Sequence, residues 1–304
     1  MTNRLNPPVD IGFVGLGHMG APMASRLAAA GYHLHVFDAD PYAVERFAAD
    51  VECNRPGDLK SLAEASTVVI TMLPEGGAVR KVLVDEGDNV LSGLKPGAVL
   101  IDMTSASPVG TRDLGAELRE KGFPLIDAPV SGGVQKAGDG TLAIMAGGDP
   151  EIIEQVRPIL DQMGKVFETG GPGTGHAMKA LNNYLSAALL TCSAEAIIAG
   201  TQFGLDPQRM VEIFNASSGR SSATEHKYPN FVLPRTFDSG FALGLMAKDL
   251  RLALDVVHDM HTPSRLLENL SAIYNEAEES LGFSADNTDV VRYLEQLVEG
   301  DGES

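Results

Sequence analysis

The sequence predicts an α/β protein in which a doubly wound parallel sheet is followed by a helical region, and three observations support this fold class. Short apolar runs alternate with helical patterns through the first half of the chain, and a glycine-rich turn follows the first apolar run. After about residue 170 the strand patterns stop. Alternation of this kind is typical of a sheet covered by helices on both faces.

The predicted strands are the apolar runs Ile11–Val14, Leu34–Phe37, Thr67–Leu73, Ala98–Asp102 and Leu125–Asp127. The predicted helices between them are Ala21–Ala30, Pro41–Ala49 and Pro108–Lys121. Helix starts are marked by a capping residue before a proline, because the side-chain oxygen accepts a bond from an orphan N–H and proline has no N–H to lose. These marks are Asp40-Pro41, Ser107-Pro108, Asp149-Pro150, Asp206-Pro207 and Thr262-Pro263.

A glycine cluster at residues 170–173 predicts a boundary between a first domain, residues 1–170, and a second, residues 171–304. A long apolar helix follows, from about Gly175 to Gly204. Polar residues interrupt it, which favours a buried helix of a soluble protein over a membrane span. Because so long a helix needs neighbours on several faces, we expect a homodimer or homotetramer.

Composition excludes several classes of protein. The formal charge of −18 argues against nucleic-acid binding, because an acidic surface repels phosphate. The two cysteines have no paired spacing and the start of the chain lacks the apolar stretch of a signal peptide, so a cytoplasmic location is expected. The histidines have no metal-ligand spacing, and no metal site is predicted.

The first apolar run leads into Gly15-Leu16-Gly17-His18-Met19-Gly20. The glycines of such a motif permit a tight turn, close approach of the backbone to a pyrophosphate, and close packing of helix on strand. The free N–H groups of the following helix then face the phosphates. The sequence therefore predicts a Rossmann dinucleotide site, and a generic glycine turn is the alternative.

Asp38 ends the second strand, about 20 residues beyond the glycines. A carboxylate there accepts hydrogen bonds from ribose hydroxyls and repels a 2′-phosphate, which favours NAD over NADP. The alternative is that Asp38 only caps a turn. Leu73, Pro74 and Ser105 follow later strands, and loops at the carboxyl ends of parallel strands border the cofactor crevice. Ordinary loop structure explains each of these three equally well.

Two further motifs carry candidate chemistry. In Asp127-Ala128-Pro129-Val130-Ser131-Gly132-Gly133, a hydroxyl and exposed backbone N–H groups would hold a carboxylate, although a simple turn fits as well. Beyond Gly173 and Gly175, Lys179 and Asn183 are four residues apart and share one face of the long helix. Burial and the helix N-terminus would lower the pKa of Lys179 toward the range of a general base.

The alternative for Lys179 is a snorkelling surface lysine beside a capping asparagine. His176, one turn earlier, is interpreted as peripheral. In Lys248-Asp249, spacing alone favours an exposed ion pair over a functional lysine.

Together these motifs resemble those of the β-hydroxyacid dehydrogenase family, which includes 3-hydroxyisobutyrate dehydrogenase, tartronate semialdehyde reductase and, more distantly, 6-phosphogluconate dehydrogenase. The four stretches that carry the resemblance span nearly the whole chain. They are Gly15–Gly20, Asp127–Gly133, Gly173 through Lys179 to Asn183, and Lys248-Asp249-Leu250.

The resemblance implies a Rossmann domain, a long interdomain helix, and an all-α C-terminal domain that shapes the substrate pocket. It implies that Lys179 is the catalytic lysine with Asn183 as its partner, that Ser131, Gly132 and Gly133 hold the substrate, and that Lys248 lies near the cofactor. Lys136 stands where the family often has glycine, which would add a positive charge near the site or only alter a loop. Family members that reduce imines typically lack the lysine at position 179.

The expected activity is NAD-dependent oxidation of a small, anionic β-hydroxy acid to its semialdehyde, with Lys179 as general base and acid. One alternative is an NADPH-dependent semialdehyde reductase of the tartronate, succinic semialdehyde or glyoxylate type. The alternative from another class is a non-catalytic dinucleotide-binding protein.

Overall fold

The computed structural model describes residues 4–85 and 87–301. The chain divides into two compact units, Met1–Lys179 and Ala180–Ser304. The division falls inside the long helix rather than at the glycine cluster before it. The predicted domain bounds, 1–170 and 171–304, stay a prediction.

The first unit is built on an eight-stranded sheet with the strand order β2-β1-β3-β4-β5-β7-β6, and β8 pairs with β7. The strands β1 to β5, which overlap the five predicted apolar runs, are parallel. β7 runs antiparallel to β5 and β6, and β8 is parallel to β7. The strands are β1 Asp10–Val14, β2 His33–Phe37, β3 Val68–Thr71, β4 Val99–Asp102, β5 Leu125–Asp127, β6 Val130–Ser131, β7 Leu142–Gly147 and β8 Gly164–Gly170.

Among the described residues of this unit, seven α-helices and a 3₁₀ turn, Leu91–Gly93, lie between these strands, and separate apolar clusters form the core. Strand β1 lies between β2 and β3, so the strand order reverses there and the loop after β1 opens at a topological switch point. The helices are α1 Gly20–Ala29, α2 Pro41–Asp50, α3 Leu59–Ala65, α4 Gly76–Leu83, α5 Pro108–Glu120, α6 Gly133–Asp139 and α7 Pro150–Leu160.

Helix α8, Thr174–Phe203, continues from the first unit into the second. The described part of the second unit is otherwise helical, with its own apolar core around the buried Tyr228 and Tyr274. Its elements are α9 Pro207–Asn215, a π-helix Ala223–Val232, α10 Leu243–Asp259, α11 Arg265–Leu281, a 3₁₀ turn Asn287–Asp289 and α12 Val290–Asp301. The predicted fold class is confirmed.

Four of the five predicted helix starts are confirmed. In each of these four, the side chain of the capping residue accepts a backbone N–H of the first helical turn, and a proline follows it in the sequence. The capping residues are Asp40, Ser107, Asp149 and Asp206. The fifth is wrong: α11 begins at Arg265, with Ser264 before it. Thr262 instead closes the preceding turn, where its backbone N–H bonds the Val257 carbonyl.

Helix α8 is long and apolar enough to cross a membrane by length and composition alone. Within the chain, 28% of its most apolar window is buried. The expectation of a buried helix therefore holds only for part of its surface, and several large apolar side chains on α8 are exposed.

Candidate active site

The glycine loop between β1 and α1 is fixed in shape by the packing of its own backbone. Gly15 has φ +100°, and a Cβ there would overlap the Met72 carbonyl, while a Cβ at Gly20 would overlap the Gly15 carbonyl. The chain's own packing therefore demands glycine at both positions. A Cβ at Gly17 would meet nothing within 4 Å, so the space beside it is open to a ligand.

The start of α1 leaves its backbone donors available. Met19 precedes the helix without a side-chain cap, and the first turn holds no acidic residue. Such an end attracts a phosphate through its N–H groups and the helix dipole. His18 is exposed beside this end. The residues present therefore fit a pyrophosphate.

Asp38, at the end of β2, is tied to the glycine loop. One carboxylate oxygen accepts the Leu16 N–H at 2.6 Å and the other accepts the Asp40 N–H at 2.8 Å. Each oxygen keeps a further lone pair for a ribose hydroxyl. Asp40 itself caps α2 through Tyr42 N–H. Asp38 therefore closes a turn, and its carboxylate oxygens can still accept hydrogen bonds from ribose hydroxyls, as expected from the sequence.

Leu73, Pro74 and Ser105 follow the carboxyl ends of β3 and β4, which are neighbouring strands. The Leu73 N–H donates to Thr104 Oγ1 at 3.0 Å, which links the two loops directly. The structure therefore places these residues at the same edge of the sheet as the glycine loop.

The loop proposed for the substrate begins at Ser131, the last residue of β6. Gly132 and Gly133 both have positive φ, +142° and +72°, and α6 begins at Gly133 without a side-chain cap. Backbone N–H groups are therefore presented beside the Ser131 hydroxyl. The Lys136 side chain lies over Gly132, with its Cδ 2.7 Å from where a Cβ would stand. The extra charge at position 136 is thus next to this loop.

The start of α8 is held by a buried carboxylate. Asp127 Oδ1 accepts the Gly173 N–H at 2.8 Å and Oδ2 accepts the His176 N–H at 2.9 Å. Burial raises the pKa of Asp127, while the nearby His176 and the backbone donors act in the opposite direction. The first residue of the substrate-loop motif therefore caps the helix that carries Lys179.

His176 is central to this network rather than peripheral. Its ring is buried, with Nδ1 2.8 Å from Thr111 Oγ1 and Nε2 2.8 Å from the Thr104 carbonyl oxygen. The carboxylates of Asp102 and Asp127 lie 3.7 and 3.9 Å from the ring nitrogens. The interpretation of His176 as peripheral was wrong because sequence spacing does not reveal which helix face packs against the sheet.

Lys179 and Asn183 are both buried, at 8% and 5% exposure, one helical turn apart on α8. A snorkelling surface lysine is therefore excluded. Asn183 Nδ2 donates to Asp249 Oδ2 at 2.6 Å, and its Oδ1 accepts from Asn182 Nδ2 at 3.2 Å. These partners fix the amide and leave one N–H for another acceptor.

Lys248 and Asp249 lie in α10, and their charged atoms are 3.8 Å apart. The Asp249 side chain is 3% exposed and that of Lys248 is 20% exposed, so the exposed ion pair favoured by spacing alone is wrong. Asp249 Oδ1 has no hydrogen-bond partner, whereas Oδ2 positions Asn183. In the second unit, α10 therefore supplies the support for Asn183.

Two family models match almost the full length. Residues 10–171 match the NAD-binding domain of 6-phosphogluconate dehydrogenase, and residues 173–294 match a domain described as the NAD-binding domain of NADP-dependent 3-hydroxyisobutyrate dehydrogenase. The chain belongs to the β-hydroxyacid dehydrogenase family.

Relatives of this family match nearly end to end. The chain is 37% identical to 2-(hydroxymethyl)glutarate dehydrogenase of Eubacterium barkeri over 95% of this chain and 96% of the relative. It is 37% identical to 3-sulfolactaldehyde reductase of Escherichia coli over 88% and 89% of the two chains. A solved structure of Mycobacterium tuberculosis 3-hydroxyisobutyrate dehydrogenase with L-serine has a TM-score of 0.87 at 33% identity, covering 94% of this chain and 99% of that one.

This β-hydroxyacid dehydrogenase is therefore an NAD(P)-dependent oxidoreductase acting on a CH–OH group. In the first unit, the structure brings the glycine loop, Asp38, Leu73, Pro74 and Ser105 to one edge of the sheet. Sequence reasoning missed Asp127 as a helix cap and Lys227, a partly buried lysine of the second unit. No spacing signal links Asp127 to the helix that it caps.

Proposed function

We propose that this enzyme oxidises the hydroxyl of a small β-hydroxy acid to the semialdehyde with NAD, and that Lys179 moves the hydroxyl proton. The observation that supports this most is the buried Lys179 one turn from Asn183, on a helix whose start is fastened by Asp127. A buried amine at a fixed position is suited to general base catalysis.

In the proposed reaction, the substrate carboxylate binds the Ser131 hydroxyl and the backbone N–H groups of Gly132 and Gly133. Neutral Lys179 Nζ accepts the hydroxyl proton while the carbon's hydrogen leaves as hydride, and Asn183 directs its remaining N–H toward the substrate oxygen. NAD supplies the nicotinamide ring that accepts the hydride. In the reverse direction, the Lys179 ammonium returns the proton to the carbonyl oxygen.

The glycine loop, from Gly15 to Gly20 with Leu16, His18 and Met19, would hold the pyrophosphate. Leu73, Pro74, Ser105 and Lys248 would border the rest of the cofactor. Asp38 supports NAD over NADP, because its carboxylate stands fixed beside the loop and would repel a 2′-phosphate. Replacing Asp38 by serine is expected to lower the ratio of kcat/KM with NAD to that with NADP at least tenfold. An unchanged ratio would remove Asp38 from cofactor selection.

The direct test of the proposal compares Lys179→Ala with the exposed-lysine variant Lys95→Ala on a panel of short β-hydroxy acids. We expect Lys179→Ala to bind NAD normally but lose about 10²- to 10⁴-fold in kcat, the usual contribution of a general acid or base. Lys95→Ala should match the parent protein. If Lys179→Ala keeps its turnover, the proposed role of Lys179 is refuted. If the parent protein binds NAD but turns over none of the acids, a non-catalytic dinucleotide-binding protein is favoured instead.

A semialdehyde reductase is the second candidate. It is favoured by the similarity to an enzyme named as a reductase, the 3-sulfolactaldehyde reductase of E. coli. The same residues would act in reverse. Comparing kcat/KM for the alcohol with NAD and for the aldehyde with NADH or NADPH, at one pH, decides which direction and which cofactor the enzyme favours.

We further propose a cytoplasmic homodimer or homotetramer. The outer face of α8 supports this, because eight residues along it, seven of them exposed, stand at alternating spacings of four and three, the spacing of paired helices. They are Met178, Asn182, Leu185, Leu189, Cys192, Ala196, Ala199 and Phe203, of which Asn182 is partly buried. This stripe, here called the α8 seam, runs about 38 Å and would be covered by a second copy.

A further inference from the structure

The second unit holds a lysine that the proposed reaction does not use. Lys227 lies in the π-helix Ala223–Val232, is partly buried, and its Nζ donates to Ser186 Oγ at 3.2 Å. π-Helical segments are rare and occur frequently at functional sites. The ammonium is thus held against α8 by a specific contact.

The position of Ser186 on α8 shows which face Lys227 reaches. Ser186 is three residues beyond Asn183 and seven beyond Lys179, so all three share one helix face. Along the helix axis, Ser186 lies about 10 Å beyond Lys179, because seven residues at about 1.5 Å each separate them. Lys227 therefore places a positive charge on the same face as the proton-transferring residues, displaced by the length of a short carbon chain.

This charge is poorly compensated within the protein. None of the ion pairs formed by residues 4–85 and 87–301 includes Lys227. Burial lowers the pKa of Lys227 to about 8, and the carboxylate of Asp286 opposes this only from a distance. Asp286 is already engaged by Ser239, Gly240 and Thr288.

A purely structural role would not require the charge. A neutral side chain would fill the same space without the cost of removing an ammonium from water, and Ser186 is one hydroxyl on a helix that has many other contacts. The arrangement is that of a site that receives its counterion from outside the chain.

We propose that Lys227 binds a second anionic group of the substrate, remote from the hydroxyl whose proton Lys179 accepts. The substrate class is then a β-hydroxy acid with a carboxylate, sulfonate or phosphate on its tail. This proposal rests on the proposed function, since it assigns a specificity-determining residue to the same reaction.

The test measures kcat/KM for hydroxy acids that share one head and differ in the tail: methyl, hydroxymethyl, carboxylate, sulfonate or phosphate. The variants are Lys227→Met, which removes the charge at similar volume, Lys227→Arg, which keeps it, and Lys95→Met as an exposed control. The anionic tail that the parent protein prefers identifies which of the three groups is natural.

We expect the parent protein to favour an anionic tail over the methyl tail by roughly tenfold to hundredfold, the usual effect of a charged hydrogen bond. Lys227→Met should lose this preference mainly through KM, Lys227→Arg should keep most of it, and Lys95→Met should not change it. A general structural defect would lower kcat/KM equally for acids with every tail and leave the ratio of anionic to methyl tail unchanged. That result would overturn the proposal.

Its failure can be separated from that of the proposed function. If the methyl-tailed acid is oxidised, turnover depends on Lys179 and an anionic tail brings no advantage, only the role of Lys227 is refuted. If NAD binds but no acid of either kind is oxidised, the proposed function fails and the role of Lys227 fails with it.

Discussion

Replacing Lys227 by methionine is expected to stabilise the folded protein at neutral pH. Burial lowers the pKa of this lysine from its ordinary value of 10.5 to about 8, against a weaker opposing effect of Asp286. At about 1.4 kcal/mol per pH unit, this difference corresponds to roughly 3 kcal/mol of unfavourable charging free energy. Water at the partly exposed side chain reduces that figure, and the lost bond to Ser186 costs about 1 kcal/mol. The free energy of unfolding should therefore rise by about 1–2 kcal/mol.

The pH dependence has a definite sign. Below about pH 8 both the folded and the unfolded chains carry the proton, and the cost of the buried charge is fully present. Between about pH 8 and 10.5 the folded protein has released the proton that the unfolded chain still holds, so the free energy of unfolding rises with pH. Lys227→Met lacks this contribution, and its advantage over the parent protein should shrink from pH 7 to pH 9.5.

Urea denaturation at pH 7 and pH 9.5, at one protein concentration, measures both effects for the parent protein, Lys227→Met and the control Lys95→Met. The control should match the parent protein at both pH values. A Lys227→Met protein that is less stable than its parent at pH 7, or an advantage that does not change with pH, would refute the reasoning about the buried charge.

Three further predictions concern the cofactor loop, the α8 seam and the capped helix. Gly17→Ala should leave the free energy of unfolding within about 0.5 kcal/mol yet weaken NAD binding at least tenfold by calorimetry, whereas Gly20→Ala should destabilise the fold because its methyl would overlap a carbonyl. Leu189→Glu should reduce the oligomer mass in sedimentation, because an unpaired carboxylate in an apolar interface is costly. Asp127→Asn should lower the free energy of unfolding by about 1–2 kcal/mol and also lower kcat, because the amide has only one accepting oxygen and one of the two backbone N–H groups at the α8 start loses its acceptor.

Each of these has a matched comparison. Asp149→Ala removes the cap of α7 and should lower stability without changing kcat, so an equal loss of kcat would argue against a special role for Asp127. Tyr42→Glu alters an exposed apolar side chain outside the α8 seam and should leave the mass unchanged. Undiminished NAD binding by Gly17→Ala would mean that the open space beside Gly17 does not receive the pyrophosphate.

Local signals in the sequence were sufficient for the Rossmann strands and for most helix starts. A capping oxygen followed by proline acts over one turn, so Asp40, Ser107, Asp149 and Asp206 could be recognised without tertiary information. The same pattern at Thr262 failed because that threonine belongs to the end of the preceding helix. Strands β6 to β8 were not predicted. β6 has only two residues and β8 is largely exposed or half-buried, while the apolar strand β7 pairs antiparallel with β5 and β6, outside the strand–helix alternation of a parallel sheet.

The candidate site was predictable where residue type and spacing carry the information, as for Gly15–Gly20 and for Lys179 with Asn183. The capping of α8 by Asp127 was not, because the carboxylate and its backbone partners are 46 and 49 residues apart. The resemblance implied that the stretch from Ser218 to Phe241 lines the pocket, but no signal in the sequence singled out Lys227 within it. Only the π-helix and the contact with Ser186 reveal that this lysine faces α8.

The division of the chain inside α8 has a consequence for redesigning this enzyme. The groups that fasten the turn of Lys179, Asp127 and His176, belong to the first unit, whereas Ser186 and Lys227 belong to the second. Under the proposed roles of Lys227 and Lys179, a mutant library confined to the second unit, with Asn183 and Asp249 kept, would vary the accepted tail without changing the residues that fasten the turn of Lys179. In such a library, variants that accept a new tail could be told apart from variants that have lost catalysis.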